Sequence, residues 1–238
     1  MIHSLGIDSV PVDESSNGGD GSAYKSAVEP VPSAALPFRR LFSTRLFSVV
    51  LILASTSAIR RQMLDSAGVE YQSLKPNVDE DALKARLSTA DEIASQLAAA
   101  KALSISGDDW VIGSDSVVTV GGRLFSKPND RIEAAQHLRY FSGKTMELTS
   151  AVALARGGAL DWGHVESARL AVRSLSDEFI AEYLDAEWPA VGYTVGVFRL
   201  EARGVQLFSR IEGDHFTILG MPLLPLLGAL RERGKLPA

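Results

Sequence analysis

The apolar run Leu51-Ile52-Leu53-Ala54 stops abruptly at Ser55-Thr56-Ser57 and is followed by Ala58-Ile59-Arg60-Arg61. A short uninterrupted apolar run reads as a buried strand, and small hydroxyl residues ahead of a helical pattern read as a helix start. Hydroxyls and a basic pair at the beginning of a helix present donors to an anion. Arg60 and Arg61 are adjacent on that helix and cannot share one face, so one is expected to point into the turn and the other to solvent.

From Val49 onward strand and helix patterns alternate, the signature of an α/β fold. A strand over 49–54 leads to a helix over 58–67 ending at Gly68, followed by a short strand over 69–74. Thr89-Ala90-Asp91-Glu92 is a capping box opening a helix to about 105, with Ile93, Leu97 and Ala100 at core spacing and Lys101 on the edge of that face. Strand 110–114 continues into 117–120, where Gly121-Gly122 reads as a hairpin turn. Asp130 and Glu133 open a helix to about 141. Two long strands, 144–156 and 161–173, meet at Gly157-Gly158, so an antiparallel pair joins the parallel ones and the sheet is mixed. A helix from Ser176, strands over 197–201 and 204–211, and a helix from Pro222 complete the pattern.

Composition limits the partners. The chain has 238 residues, a net charge of -5 and no cysteine. No general basic field exists to hold nucleic acid, and disulfides, thiolate metal sites and thiol catalysis are excluded. The most apolar region, 216–230, is interrupted by Pro222 and Pro225 and is too short to span a membrane. A cytoplasmic protein is expected. Residues 1–46 are rich in Ser, Gly and Pro without apolar periodicity and read as a disordered or nonessential extension, leaving 47–238 as the folded domain. Their basic end resembles a transit signal, but Asp8, Asp13, Glu14, Asp20 and Glu29 argue against one.

Asp115, at the end of Val111-Ile112-Gly113-Ser114, is the best placed general base or metal ligand, although an aspartate there is also a common turn residue. Asp79-Glu80-Asp81 offers hard oxygen ligands, or alternatively a solvated loop. Lys101 and Lys127 can neutralise phosphate charge; on local evidence alone Lys101 reads as a surface residue. Ser142-Gly143-Lys144-Thr145 mimics the tail of a phosphate-binding loop, but the required earlier glycine falls at Leu138 and a helix precedes it. His3, His137, His164 and His215 show no ligand spacing.

The ordered set is more informative than any member: Leu53-Ala54-Ser55 with Ser57 and Arg60, Val78-Asp79-Glu80, Lys101-Ala102, Gly113-Ser114-Asp115, Lys127-Pro128, Ser142-Gly143, and Gly213-Asp214 with Gly220-Met221-Pro222-Leu223. It resembles the Maf family of nucleoside triphosphate pyrophosphatases over about residues 49–234. The resemblance implies a mixed, curved sheet with flanking helices, and two lobes around a deep cleft as in the inosine triphosphatases. It also implies hydrolysis of a nucleoside triphosphate at the α,β bond with a divalent metal, Mg²⁺ or Mn²⁺, and a homodimer. By the same resemblance Asp115 activates water. Ser55, Ser57, Arg60, Lys101 and Lys127 bind phosphates, and Glu80 joins Asp115 in positioning metal or water.

Base selectivity is where the chain departs from the commonest pattern. Relatives resembling the dTTP and UTP enzymes carry arginine, threonine and glutamine at the positions of Ile59, Ser116 and Glu201. Those resembling the 7-methyl-GTP enzymes carry an aromatic, a glutamine and a glutamate. A carboxylate at Glu201 can accept two hydrogen bonds from the N1–H and N2–H₂ edge of guanine, which favours the 7-methyl-GTP branch. The alternatives are a sheet-edge charge at Glu201, a dTTP/UTP enzyme, a phosphatase cutting at the γ position, or a nucleotide-binding regulator of cell division with little catalysis.

Overall fold

The structure, a computed structural model, describes residues 50–237; the extension expected over 1–46 lies outside the described residues. Strand β1 (Leu51–Ala54) turns into helix α1 (Ala58–Ser66), then β2 (Gln72–Leu74), α2 (Glu80–Lys84) and α3 (Ala90–Leu103). Next come β3 (Trp110–Val120), β4 (Arg123–Phe125), α4 (Arg131–Phe141), β5 (Thr145–Arg156) and β6 (Ala159–Val172). The chain ends with α5 (Asp177–Glu187), 3₁₀ turns at Ala190–Tyr193 and Arg203–Leu207, β7 (Phe208–Glu212), α6 (His215–Leu219) and α7 (Leu223–Glu232).

The strands form one seven-stranded mixed sheet in the order β2-β1-β3-β5-β6-β7, with β4 also on β3. β1 is parallel to β2 and β3, and every other pairing is antiparallel. β1 shows why the short apolar run is uninterrupted. Leu51 and Leu53 pack with Met63, Leu64, Leu226 and Leu230 on one face, while Ile52 and Ala54 pack with Ile93, Leu97 and Ala98 of α3 on the other. Burying each such leucine contributes about 1.5–3 kcal/mol. A third core surrounds the far ends of β3, β5 and β6, where Val118, Phe125, Leu138, Phe141, Leu170, Ile180 and Leu184 meet. The long strands therefore pass from one packed lobe into another. No helix among the described residues is long and apolar enough to cross a membrane.

α3 opens with the expected capping box: Glu92 N–H donates to Thr89 Oγ1 at 3.2 Å while Glu92 Oε2 accepts from Thr89 N–H at 3.2 Å. Its approach to the sheet is unusually close. A Cβ on Gly113 would lie 2.1 Å from the Ala98 carbonyl oxygen and 2.5 Å from the Ala102 nitrogen, so no side chain fits there.

Two strand expectations are corrected, and one open reading is decided. The segment 197–201 is not a strand: Val197 has φ 57°, and its carbonyl accepts from the Tyr183 hydroxyl at 3.0 Å, which turns the chain toward α5. Over 204–211, the Arg203–Leu207 turn comes first and the strand begins only at Phe208. Around Asp79-Glu80-Asp81 the chain is helical, because Asp79 caps α2 by accepting from Ala82 N–H at 3.0 Å.

Candidate active site

β1 and β4 approach each other along the same side of β3 and stop short of meeting. The last β1 partner on β3 is Gly113, opposite Ala54; the nearest β4 partner is Val118, opposite Phe125. Between them, among the described residues, Ser114–Val117 has a strand neighbour only on the β5 side. Ser55-Thr56-Ser57 leaves β1 on one lip of this notch and Ser126-Lys127 leaves β4 on the other. Carboxyl ends of parallel strands are where α/β sheets place ligands, because the following helix starts there.

On the α3 side of the sheet, Asp115 and Lys101 are both buried, and Lys101 Nζ lies 2.6 Å from Asp115 Oδ1. The same ammonium lies 2.7 Å from Glu80 Oε1, and Lys84 Nζ lies 3.6 Å from Glu80 Oε2. Lys101 is thus a buried bridge between two carboxylates, not the surface residue that its helix-edge position suggests. Burial pushes the Glu80 carboxyl up, but the hydrogen bond and charge of Lys101, with Lys84 and Lys127, outweigh it and hold Glu80 below the usual range. Lys127 is exposed and makes no ion pair among the described residues.

On the opposite face, Ser57 caps α1, its hydroxyl 3.5 Å from Arg60 N–H; Ser57 N–H itself donates to Ser55 Oγ at 3.1 Å. Arg60 turns inward: Nε donates to the Gly220 carbonyl at 2.9 Å and one terminal nitrogen to Ser116 Oγ at 3.1 Å. Arg61 points out and donates to the Thr56 carbonyl at 3.0 Å. Burial holds Arg60 below its usual pKa, opposed by Asp115 and then Glu80. It remains a cation at neutral pH.

The notch therefore gathers Ser55, Ser57, Arg60, Glu80, Lys101, Asp115, Ser116 and Lys127. Ile59 is half-buried in the first turn of α1. Glu201 is exposed in the other lobe, where its charge acts on Arg199 and Tyr183. Sequence reasoning missed Ser150 and Thr217, two buried polar residues behind Ser116; the available signal was the hydroxyl pair Thr149-Ser150 set directly before the apolar run Ala151–Ala155. Ser142-Gly143-Lys144-Thr145 forms the turn from α4 to β5, with the Ser142 hydroxyl accepting from Leu175 N–H at 2.8 Å.

The sequence pattern of the family described as Maf-like protein matches residues 50–233. The chain belongs to the Maf family. The Maf match contains every notch residue. Similar relatives are a 7-methyl-GTP pyrophosphatase of Rhizobium etli, 47% identical over 191 residues, covering 77% of this chain and 96% of the relative, and a 7-methyl-GTP pyrophosphatase of Rhizobium meliloti, 44% identical, covering 79% and 98%. A nucleoside triphosphate pyrophosphatase of Nitrobacter winogradskyi is 46% identical, covering 77% and 93%. A solved nucleoside-triphosphatase, a dITP/XTP pyrophosphatase from Mycobacterium abscessus, overlaps 52% of this chain and 74% of its own. The two share 15% identity at a TM-score of 0.31.

The donor set around Lys101 fits a small divalent cation. Among the described residues no group of three or more His, Cys, Asp or Glu side chains is placed to hold a metal. Two carboxylates already converge on one ammonium, however, and Mg²⁺ commonly takes one or two carboxylates with water and substrate phosphates completing its shell.

Proposed function

We propose that this Maf chain is a nucleoside triphosphate pyrophosphatase that cleaves the α,β bond and releases a nucleoside monophosphate and pyrophosphate. The observation that carries this reading is the pair Asp115 and Glu80 held on Lys101 beside a notch that also presents Arg60 and Lys127. Two carboxylates among several cations suit a reaction that must bind polyanionic substrate and still deprotonate water. The names of the relatives agree with it.

In this reading the triphosphate lies in the notch. Ser55, Ser57 and the α1 amino end meet it from one lip, Lys127 from the other, and Arg60 and Lys101 from the floor. Asp115 takes a proton from water as the water oxygen bonds to the α-phosphorus. The α,β bridging bond breaks, and its electron pair leaves on pyrophosphate. Lys101 holds the Asp115 carboxylate in place through the 2.6 Å contact to Oδ1. Glu80 and Asp115 would hold Mg²⁺ or Mn²⁺, which when bound supplies charge neutralisation for the phosphates.

Glu201, with Ile59 where other relatives have arginine, supports a modified guanine nucleotide such as 7-methyl-GTP over dTTP or UTP. A cytoplasmic homodimer acting on small nucleotides, without nucleic acid or membrane contact, fits the family resemblance and the net charge of -5. The test is pyrophosphate release across a panel of canonical and modified triphosphates, with Asp115→Asn as control. Release by the parent and a loss of about 10²–10⁴-fold in Asp115→Asn is the expected result. Nucleotide binding without turnover, or orthophosphate as the only product, overturns the reading.

A further inference from the structure

Behind Arg60 runs a chain of hydroxyls. Arg60 donates to Ser116 Oγ, Ser116 Oγ lies 2.8 Å from Ser150 Oγ, and Ser150 Oγ donates to the Thr217 carbonyl at 2.8 Å. A serine hydroxyl has one hydrogen, and that of Ser150 is committed to Thr217. The Ser116 hydroxyl has two acceptors in reach, Ser150 Oγ at 2.8 Å and the Gly220 carbonyl at 3.1 Å. That carbonyl already accepts from Arg60 Nε at 2.9 Å and Ser114 Oγ at 3.0 Å, so the shorter contact makes Ser116 the donor to Ser150, with its lone pairs facing Arg60. The direction of the chain is fixed, from guanidinium to strand hydroxyls to the carbonyl of α6.

Ser116 and Ser150 are cross-strand partners on β3 and β5 and project to the same face. Ser150 is fully buried. The far end is held as well: Thr217 Oγ1 donates to Glu166 Oε2 at 3.0 Å, and Thr217 N–H to Asp214 Oδ1 at 3.0 Å. Gly220, with φ 106°, brings its carbonyl beside the same guanidinium, and a Cβ there would lie 3.2 Å from Ser116 Oγ. Two of the five Arg60 N–H groups are occupied by Gly220 and Ser116, and three remain for an anion in the notch.

We propose that Ser150 is a positioning residue for Arg60: it fixes the Ser116 hydroxyl that locks the guanidinium with its remaining donors toward substrate phosphate. This rests on the reading of Arg60 as a phosphate ligand. Ser150 itself touches no substrate. Ser116, which the resemblance associates with base choice, serves through its hydroxyl as the intermediate link.

The test is calorimetric binding of inorganic tripolyphosphate, with Mg²⁺ present, to the full chain and to Ser150→Ala, Arg60→Lys and the double variant. Ser150→Ala is expected to weaken binding about three- to tenfold. The double variant is expected to bind within about twofold of Arg60→Lys alone, because Ser150 acts through the fork that lysine lacks. Ser150→Cys, which keeps a weak donor, gives an intermediate loss and carries the same cycle if Ser150→Ala does not fold. Additive losses, or no loss in Ser150→Ala, overturn the proposal. Failure of the parent to bind tripolyphosphate removes Arg60 as a phosphate ligand and the proposal with it. Binding that behaves as expected without cleavage of any nucleoside triphosphate leaves Ser150 in its role and overturns the pyrophosphatase reading instead.

Discussion

Lys101 Nζ and Asp115 Oδ1 are 2.6 Å apart, with both side chains buried where α3 crosses β3. Removing one partner of such a pair leaves the other charge without compensation, at a cost of about 3–5 kcal/mol. Lys101→Met is expected to lower unfolding free energy by that order in urea titrations and to reduce kcat/KM for pyrophosphate release by about 10²-fold or more. Near-normal stability with near-normal activity would show that the bridge matters to neither.

Glu80 gives a pH signature. Its folded pKa is depressed because Lys101, Lys84 and Lys127 outweigh its burial, so its contribution to stability is present above the ordinary glutamate pKa of about 4.3 and lost as pH falls through the lower folded value. The melting temperature of the parent should exceed that of Glu80→Gln at pH 7, with the gap closing below about pH 4. A gap that stays constant to pH 3 would contradict this origin.

Gly113→Ala places a methyl group against the α3 backbone, where a Cβ would meet Ala98 O at 2.1 Å. The helix must move outward, at about 1–3 kcal/mol, and carry Lys101 with it. Both the melting temperature and kcat/KM are expected to fall. Loss of stability with unchanged turnover would separate the close packing from the placement of Lys101.

Glu201→Gln tests base choice. If the carboxylate reads the guanine edge, the preference for guanine over uracil triphosphates should drop about tenfold. An unchanged ratio of kcat/KM values would make Glu201 a surface charge of the second lobe.

Local signals carried most of the framework. The Thr89 to Glu92 capping box, the Ser57 cap and the Gly157-Gly158 turn each involve residues a few positions apart, so their chemistry is written in neighbouring letters. The opposed directions of Arg60 and Arg61 follow from helix geometry in the same way. Lys101 could not be placed that way, since its burial depends on Gly113 admitting α3 from a separate strand. The 197–201 segment has strand-like composition but is turned by a hydrogen bond from Tyr183 on α5. The Ser116–Ser150–Thr217 chain joins three elements distant in sequence, and nothing in any one of them announces the other two.

The notch has a consequence for how the family can vary. β1 has four residues and β4 has three, and both point along one edge of β3 toward Ser114–Val117. Their lengths act as a ruler for the opening: one more rung on either strand would narrow the gap of Ser114–Val117, and two more on each would close it over Asp115. Backbone groups left without a strand partner there must find water or phosphate oxygen instead. The site is thus a gap in the sheet that the sheet itself is chemically disposed to close, and the Ser55-Thr56-Ser57 and Ser126-Lys127 turns are what keep it open.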